Sequence, residues 1–357
     1  MQTCTAWKLE AISQWKASPS SPPLAFRVLT NGTFCIDADE TKLVIRPEYD
    51  RVWQDALLRV KVVGKKPPAL VLIGNPGIGK SWCLNYLACR ALEEGHGMVF
   101  IHANGWRVGY GTTHCAGSWA DHKTIPESVA QGLLTAGKRI FVFHDLKSTN
   151  HFSYTSLRLV NLKGNATFLF ATSPDERNYK DIPKEYTSRF FYMSPLSKGD
   201  AQAYWDFCVG IAWSAEEAAR FTRAFNVVGG VSRALQDLRF NSATTFDDDL
   251  RIYESQIESA VLTMNPSETL LLPPASATSA VVCYFADPQK SYLHYMGFVS
   301  ETAAGIWANH IFVNHYVNNN MQRVYRLLVN KVPNDTLVAS SKSVLGTPFA
   351  RALLLGR

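Results

Sequence analysis

Nowhere in this 357-residue chain do eighteen apolar residues run together, so no membrane-spanning helix is expected and a membrane is not among the expected partners. Residues 1–25 carry neither a basic opening nor an apolar core of the kind a secretion signal needs, and the expectation is a soluble, intracellular protein. The seven cysteines (Cys4, Cys35, Cys83, Cys89, Cys115, Cys208 and Cys283) form no C-x-x-C pair, which argues against a zinc ribbon or a dithiol redox centre. Two of them fall in one helical stretch, as buried free thiols in a reducing compartment would. Lys and Arg number 36 against 30 Asp and Glu, a formal net charge of +6, but no five like charges stand in a row. That is an ordinary basic surface with weak attraction for nucleic acid, not a polybasic arm.

What is present centres on one stretch. Ala69 to Ile73 is a short apolar run, Gly74-Asn75-Pro76-Gly77-Ile78-Gly79-Lys80-Ser81 is a G-x-x-x-x-G-K-S motif, and Trp82, Leu84, Leu87, Ala88, Ala91 and Leu92 follow with helical spacing. Strand, glycine-rich loop and helix in that order make a P-loop in its expected context. Its glycines let successive backbone N–H groups turn inward on a β-phosphate, and the helix beginning near Lys80 adds its positive end. Lys80 would reach the β- and γ-oxygens and the Ser81 hydroxyl would ligate Mg²⁺, so the nucleotide-binding residues run from Asn75 through Pro76, Gly77, Ile78, Gly79, Lys80 and Ser81 to Trp82.

Ahead of the P-loop, Trp7–Trp15 reads as a short helix and Ser18–Pro23 as a linker. Phe26–Thr30 and Thr33–Asp37 flank Asn31-Gly32, the pair that supplies both positive-φ positions of a type I′ turn, and are expected to form a hairpin. A strand over Lys42–Ile45 leads into a helix through Val60. Arg46, Pro47 and Tyr49, at the head of that helix, are the candidates for a pocket around the nucleotide base; the same residues equally suit a plain helix start with proline in its first turn.

After the P-loop helix, Met98–His102 reads as a buried strand, 106–122 as an inserted hairpin or loop, and Ile125–Thr135 as a helix. His102, His114, Cys115 and His122 match no metal-ligand spacing. Ile140-Phe141-Val142-Phe143-His144-Asp145 is an apolar strand ending in an acid, the pattern of a Walker B motif, so Asp145 should hold Mg²⁺ opposite Ser81. An aspartate at that point can also cap a turn. Thr167–Ala171 is a further strand, and Ser173 just beyond it stands where additional-strand P-loop ATPases keep a polar sensor for the γ-phosphate. Leu146 and Lys147 follow Asp145, where those ATPases usually place the acid that polarises the attacking water, so the base comes from elsewhere or hydrolysis is slow.

From Pro195 the pattern is helical. Ser197-Lys198-Gly199-Asp200 and Ser214-Ala215-Glu216-Glu217 are capping boxes opening two helices, and the second stops at Gly229-Gly230. Val231-Ser232-Arg233 then opens another helix, in which Arg233 is either a second sensor of the γ-phosphate or a solvated helix-start residue. Phe246–Met264 and Ser300–Lys331 are long amphipathic helices, with a strand-like segment at Tyr292–Phe298 before the latter.

Taken together, Val44-Ile45-Arg46-Pro47-Glu48-Tyr49, Gly74–Ser81, Phe141–Asp145, Ala171–Pro174, Tyr192–Ser197, Gly229–Arg233 and Gly297–Ser300 resemble the P-loop ATPase module shared by Crinkler effectors of oomycetes and fungi and retrotransposon hot spot proteins of trypanosomes. The resemblance covers roughly residues 40–330. It implies an α/β P-loop NTPase of the additional-strand, AAA- or STAND-like group with a parallel sheet, a C-terminal helical lid and a helical domain. The expected organisation is an N-terminal segment with a hairpin (1–40), an ATPase core (41–195), a helical lid (196–265), a helical domain (266–335) and a tail (336–357). The implied activity is Mg²⁺-dependent ATP binding and hydrolysis inside a host cell or nucleus, with a host protein or nucleic acid as partner. The family's translocation motif is not visible. Nor is a strand carrying an acid followed by D/E-x-K, and Ala350 stands where a nuclease acid would be expected. Two rival functions remain open: a nucleotide-gated switch with little turnover, and an ATPase acting on nucleic acid.

Overall fold

The computed structural model describes residues 27–30, 42–59, 66–102, 105–111, 113–118, 125, 127–135, 139–146, 165–175, 178–209, 214–240, 243–264, 278–286 and 294–315. The chain divides into two compact units, one taking in residues 1–74 and 79–193, the other 75–78 and 194–357. The readings for Trp7–Trp15, the 18–23 linker, His122, Lys147, residues 316–331 and the 336–357 tail lie outside the described residues.

The first unit opens with β1 (Arg27–Thr30) and β2 (Lys42–Ile45), paired antiparallel with Arg27 opposite Ile45 and Thr30 opposite Lys42. The expected Asn31-Gly32 turn and Thr33–Asp37 strand lie outside the described residues. Ile45, the last residue of β2, is 1% exposed in the core.

Next come α1 (Pro47–Arg59), β3 (Pro68–Ile73), α2 (Lys80–Glu93), β4 (Gly97–His102), β5 (Gly105–Tyr110), β6 (Thr113–Ser118), α3 (Glu127–Thr135), β7 (Ile140–Asp145), β8 (Ala166–Thr172), α4 (Ile182–Glu185) and β9 (Thr187–Tyr192). Seven strands form one sheet in the order β6-β5-β4-β7-β8-β3-β9. The five from β4 to β9 are mutually parallel, and β5 and β6 continue the sheet as an antiparallel hairpin. A parallel sheet needs cover on both faces, and the central strands accordingly are buried without a break and largely apolar. Alternation splits them cleanly. Val71, Ile73, Val99, Ile101, Val142, Phe168 and Phe170 share one core with Leu133 of α3 and with Tyr186, whose ring lies 4.8 Å from that of Phe168. Residues of the opposite parity, such as Phe141, meet α1, the Trp53 and Phe141 rings being 4.9 Å apart. Trp53 Nε1 also donates to Glu94 Oε1 (2.8 Å), and Arg90 bridges from α2 to Glu94 and Asp50.

The second unit holds α5 (Lys198–Val209), α6 (Ala215–Val228), α7 (Ser232–Phe240), α8 (Ala243–Thr263), α9 (Thr278–Val281), the hairpin β10 (Val282–Ala286) with β11 (His294–Phe298), and α10 (Glu301–His315). Both predicted capping serines act as such: Ser197 Oγ accepts from Asp200 N and Ser214 Oγ from Glu217 N, each at 3.1 Å. Gly229, at φ +60°, closes α6, and a Cβ there would fall 1.8 Å from Val299 O. At Gly230 a Cβ would fall 1.9 Å from Leu196 O, a backbone atom that cannot swing aside.

Gly230→Ala should therefore lower stability by more than about 2 kcal/mol through overpacking. Gly305, mid-helix in α10 with open space around its Cβ position, should gain about 0.5–1 kcal/mol on replacement by alanine. Urea titrations of the two variants beside the parent check both signs.

Candidate nucleotide site

Parallel register brings the C-terminal ends of three strands of the first unit to one edge. Ile73, the last residue of β3, pairs with Thr172, and Asp145, the last of β7, pairs with Ala171. The chain enters the P-loop from β3, and β8 lies between that strand and the acid-ended β7. Asp145 is 9% exposed at the strand tip. Leu146 stays in the ladder, its N–H donating to Ala171 O (2.9 Å), so the position after Asp145 is an apolar residue held by backbone pairing. Thr172 is buried at the end of β8, and Ser173 follows with its Oγ accepting from Asn178 Nδ2 (2.7 Å). Asn178 escaped the sequence reading because it contacts Ser173 from a turn with no motif of its own.

At the start of α2, Gly79 is the N-cap residue in the left-handed region (φ +96°, ψ +17°), with no side chain capping the helix and no acid in its first turn. A glycine N-cap with no side chain to offer, and a first turn without an acid, suit the amino end of this 14-residue helix to an external anion. Lys80, Ser81 and Trp82 form that first turn and are half-buried. The Gly79 carbonyl accepts from Cys83 N (2.9 Å) and from the Tyr49 hydroxyl (3.0 Å). A Cβ on Gly79 would stand 2.7 Å from that hydroxyl oxygen, so glycine is required by the approach as well as by φ. Burial, the largest effect, pushes the Tyr49 phenol far above the ordinary tyrosine value despite Arg46 nearby, and it stays a donor. Of the three residues nominated for the base pocket, Tyr49 is thus fully buried beneath the P-loop backbone, Arg46 is buried in an ion pair with Glu48, and Pro47 is exposed at the start of α1.

The thiols of this helix are sealed in. Burial pushes Cys83 well above its usual range and Cys89 up to about 12.

Asn75–Ile78 group with the second unit. Asn75 and Ile78 are buried there and Pro76 is exposed. Gly77 has φ +79°, and its carbonyl accepts from Ser232 Oγ (2.7 Å) and from Arg233 N (3.0 Å) at the head of α7. A Cβ on Gly77 would meet Val231 and Arg233 side-chain atoms at 3.1 Å, so α7 packs onto the loop through the space a side chain would take. The Arg233 side chain is exposed and borders a cavity of about 330 Å³ lined also by Pro76, Gly77, Val231, Asp237 and Tyr253. Tyr253, whose hydroxyl donates to Asp237 Oδ2 (3.4 Å), is pushed up to about 12, by burial first and the aspartate second. The part of Ser232 was invisible in sequence, where it reads only as a helix-start residue.

An acid-ended strand separated from the P-loop strand by exactly one further parallel strand decides the architecture. The chain has the α/β fold of a P-loop NTPase of the additional-strand group. No protein-family model and no curated protein sequence matches it. Among solved structures it is similar to the Thermotoga maritima RuvB Holliday junction branch migration motor (11% identity, TM-score 0.40, covering 68% of this chain and 90% of that one). It is similar also to the Aeropyrum pernix ORC2 protein, solved as ADPNP and ADP complexes (12% identity, TM-score 0.40, covering 74% and 94%). A katanin structure shows 17% identity and a TM-score of 0.34 over 61% of this chain and 77% of that one.

Lys80→Ala should keep the far-UV circular dichroism of the parent and lose detectable binding of ATP in a calorimetric titration. Asp145→Ala should still bind ATP, but with an affinity that no longer depends on Mg²⁺. Titrations with Mg²⁺ and with a chelator separate the two roles.

Proposed function

We propose that the chain is a Mg²⁺-dependent ATP-binding and ATP-hydrolysing module. The observation that carries the reading is the Gly74–Ser81 loop itself: left-handed glycines at 77 and 79, leading into a helix whose N-cap is a glycine and whose first turn holds no acid. The donor set suits Mg²⁺ with a nucleotide. Among the described residues no group of three or more His, Cys, Asp or Glu side chains is set to hold a metal. A hydroxyl and one carboxylate, Ser81 and Asp145, leave the remaining positions to phosphate and water, as Mg²⁺ prefers. When bound, Mg²⁺ neutralises phosphate charge. The chain's own residues supply the rest: Lys80 pairs the β- and γ-oxygens and Ser173 and Arg233 sense the γ-phosphate, while of Arg46, Pro47 and Tyr49, nominated for the base, only Pro47 is exposed. Helices α5 to α8, within 196–265, serve as the lid; the described residues of the 266–335 domain hold the β10–β11 hairpin as well as α9 and α10.

The resemblance to Crinkler and retrotransposon hot spot proteins supports a finer reading: an effector module that works inside a host cell or nucleus on a host protein or nucleic acid. A second reading has its own observation. Leu146 takes the place of the water-polarising acid and is tied into the sheet by its N–H, which favours a nucleotide-gated switch with little turnover. Multiple-turnover phosphate release compared with a single-turnover measurement tells them apart: a hydrolase continues past one phosphate per chain, and a switch stops there.

Arg233 tests the sensor role. Its guanidinium would neutralise charge present in ATP and growing in the transition state, yet absent from ADP. Arg233→Ala should leave ADP affinity nearly unchanged and lose about tenfold or more in turnover, equivalent to about 1.4 kcal/mol of transition-state stabilisation. Arg233→Lys should rescue poorly, because a point charge does not reproduce the planar fork. Equal losses for ADP and ATP would make Arg233 a structural residue instead.

A further inference from the structure

The β10–β11 hairpin has one edge paired and one edge met by side chains. Val282 lies opposite Phe298 and Tyr284 opposite Met296 in the ladder. Along β10, groups at alternate positions reach other partners. Asn75 Nδ2 donates to Val282 O (2.7 Å), Asn75 Oδ1 accepts from Tyr284 N (3.2 Å), and Ser194 Oγ accepts from Ala286 N (2.9 Å). A carboxamide carries one acceptor and a donor side by side, as a peptide group does, so the Asn75 side chain substitutes for one residue of a third strand. It does so while 1% exposed, as the second residue of the G-x-x-x-x-G-K-S loop. Aspartate could accept from Tyr284 but could not donate to Val282, and alanine could do neither.

We infer that Asn75 is a positioning residue of the phosphate loop: its carboxamide ties the loop's first turn to β10, and the hairpin in turn responds to nucleotide. The inference rests on reading Gly74–Ser81 as a nucleotide site. Two residues on, the Gly77 carbonyl is held by Ser232 and by the Arg233 N–H. In a planar trans peptide the carbonyl and the next N–H point in opposite directions, so holding Gly77 O toward α7 aims the Ile78 N–H away from α7. With the Asn75 side chain fixed at two points and the Gly77 carbonyl at two more, few backbone torsions between them are left to order when an anion arrives. The coupling is reciprocal: whatever ordering the loop confers on nucleotide affinity, bound nucleotide returns to the Asn75–β10 contacts.

The experiment compares Asn75→Ala, the nearly isosteric Asn75→Asp, and Ser194→Ala, which loosens the same β10 edge at a residue outside the loop. MgADP affinity is measured by calorimetry, and exchange of the Tyr284 amide is followed by hydrogen exchange with and without MgADP. Both Asn75 variants should weaken MgADP about tenfold or more, equivalent to about 1.4 kcal/mol, with Ser194→Ala within about twofold of the parent. MgADP should slow Tyr284 exchange in the parent and in Ser194→Ala, and have no effect on it in Asn75→Asp. Parental affinity in a folded Asn75→Asp overturns the inference while leaving the nucleotide site standing. An equal loss in Ser194→Ala overturns it too, by making the effect one of hairpin stability. Failure of the parent itself to bind MgADP would remove the nucleotide reading, and the inference with it.

Discussion

Parallel hydrogen bonding between β3, β8 and β7 is the constraint on which the rest of this structure depends. Parallel strands bring like ends together, so the loop after Ile73, the carboxylate of Asp145 and the Thr172–Ser173 tip emerge at one edge without any side chain having to arrange it. The same pairing obliges both faces of the sheet to be covered. That is why β3, β7 and β8 are buried along their whole length and mostly apolar. Asp145 and Thr172 come where the strands stop.

Within the loop, the decisive contacts are made by carbonyls. Gly77 O is taken by Ser232 and Arg233, and Gly79 O by Tyr49 and Cys83, each pair within its own unit of the chain. Occupying a carbonyl also orients the amide that follows it, so these four partners bear on where the donors at Ile78 and Lys80 point. The glycines matter twice over, for their positive φ and because Tyr49, Val231 and Arg233 occupy the space a Cβ would need.

Much of this was legible from sequence because it is local. The P-loop, the apolar strand ending at Asp145, the capping serines 197 and 214 and the glycine stop after α6 each declare themselves within a few residues. The β9 strand was missed because Thr187-Ser188-Arg189-Phe190-Phe191-Tyr192 is half-buried at the sheet edge and lacks a continuous apolar run. The β10 strand was missed because Val282–Ala286 is short and its outer edge is met by Asn75, which is distant in sequence. The contacts of Asn75, Ser232 and Tyr49 with neighbouring backbone had no signal at all: a hydroxyl or amide satisfying a distant peptide group leaves no periodicity behind.

The sealed thiols of α2 have a chemical consequence for the loop they adjoin. Oxidants, metals and disulfide partners react with thiolate rather than thiol, and with sulfur they can reach. Cys83, three residues after Lys80, is wholly buried and its ionisation is displaced well upward; Cys89 is close behind. Both burial and raised ionisation slow entry to the ladder from sulfenic to sulfonic acid while the helix is folded. The helix that presents Lys80 is thereby shielded from peroxide and glutathione at its own cysteines.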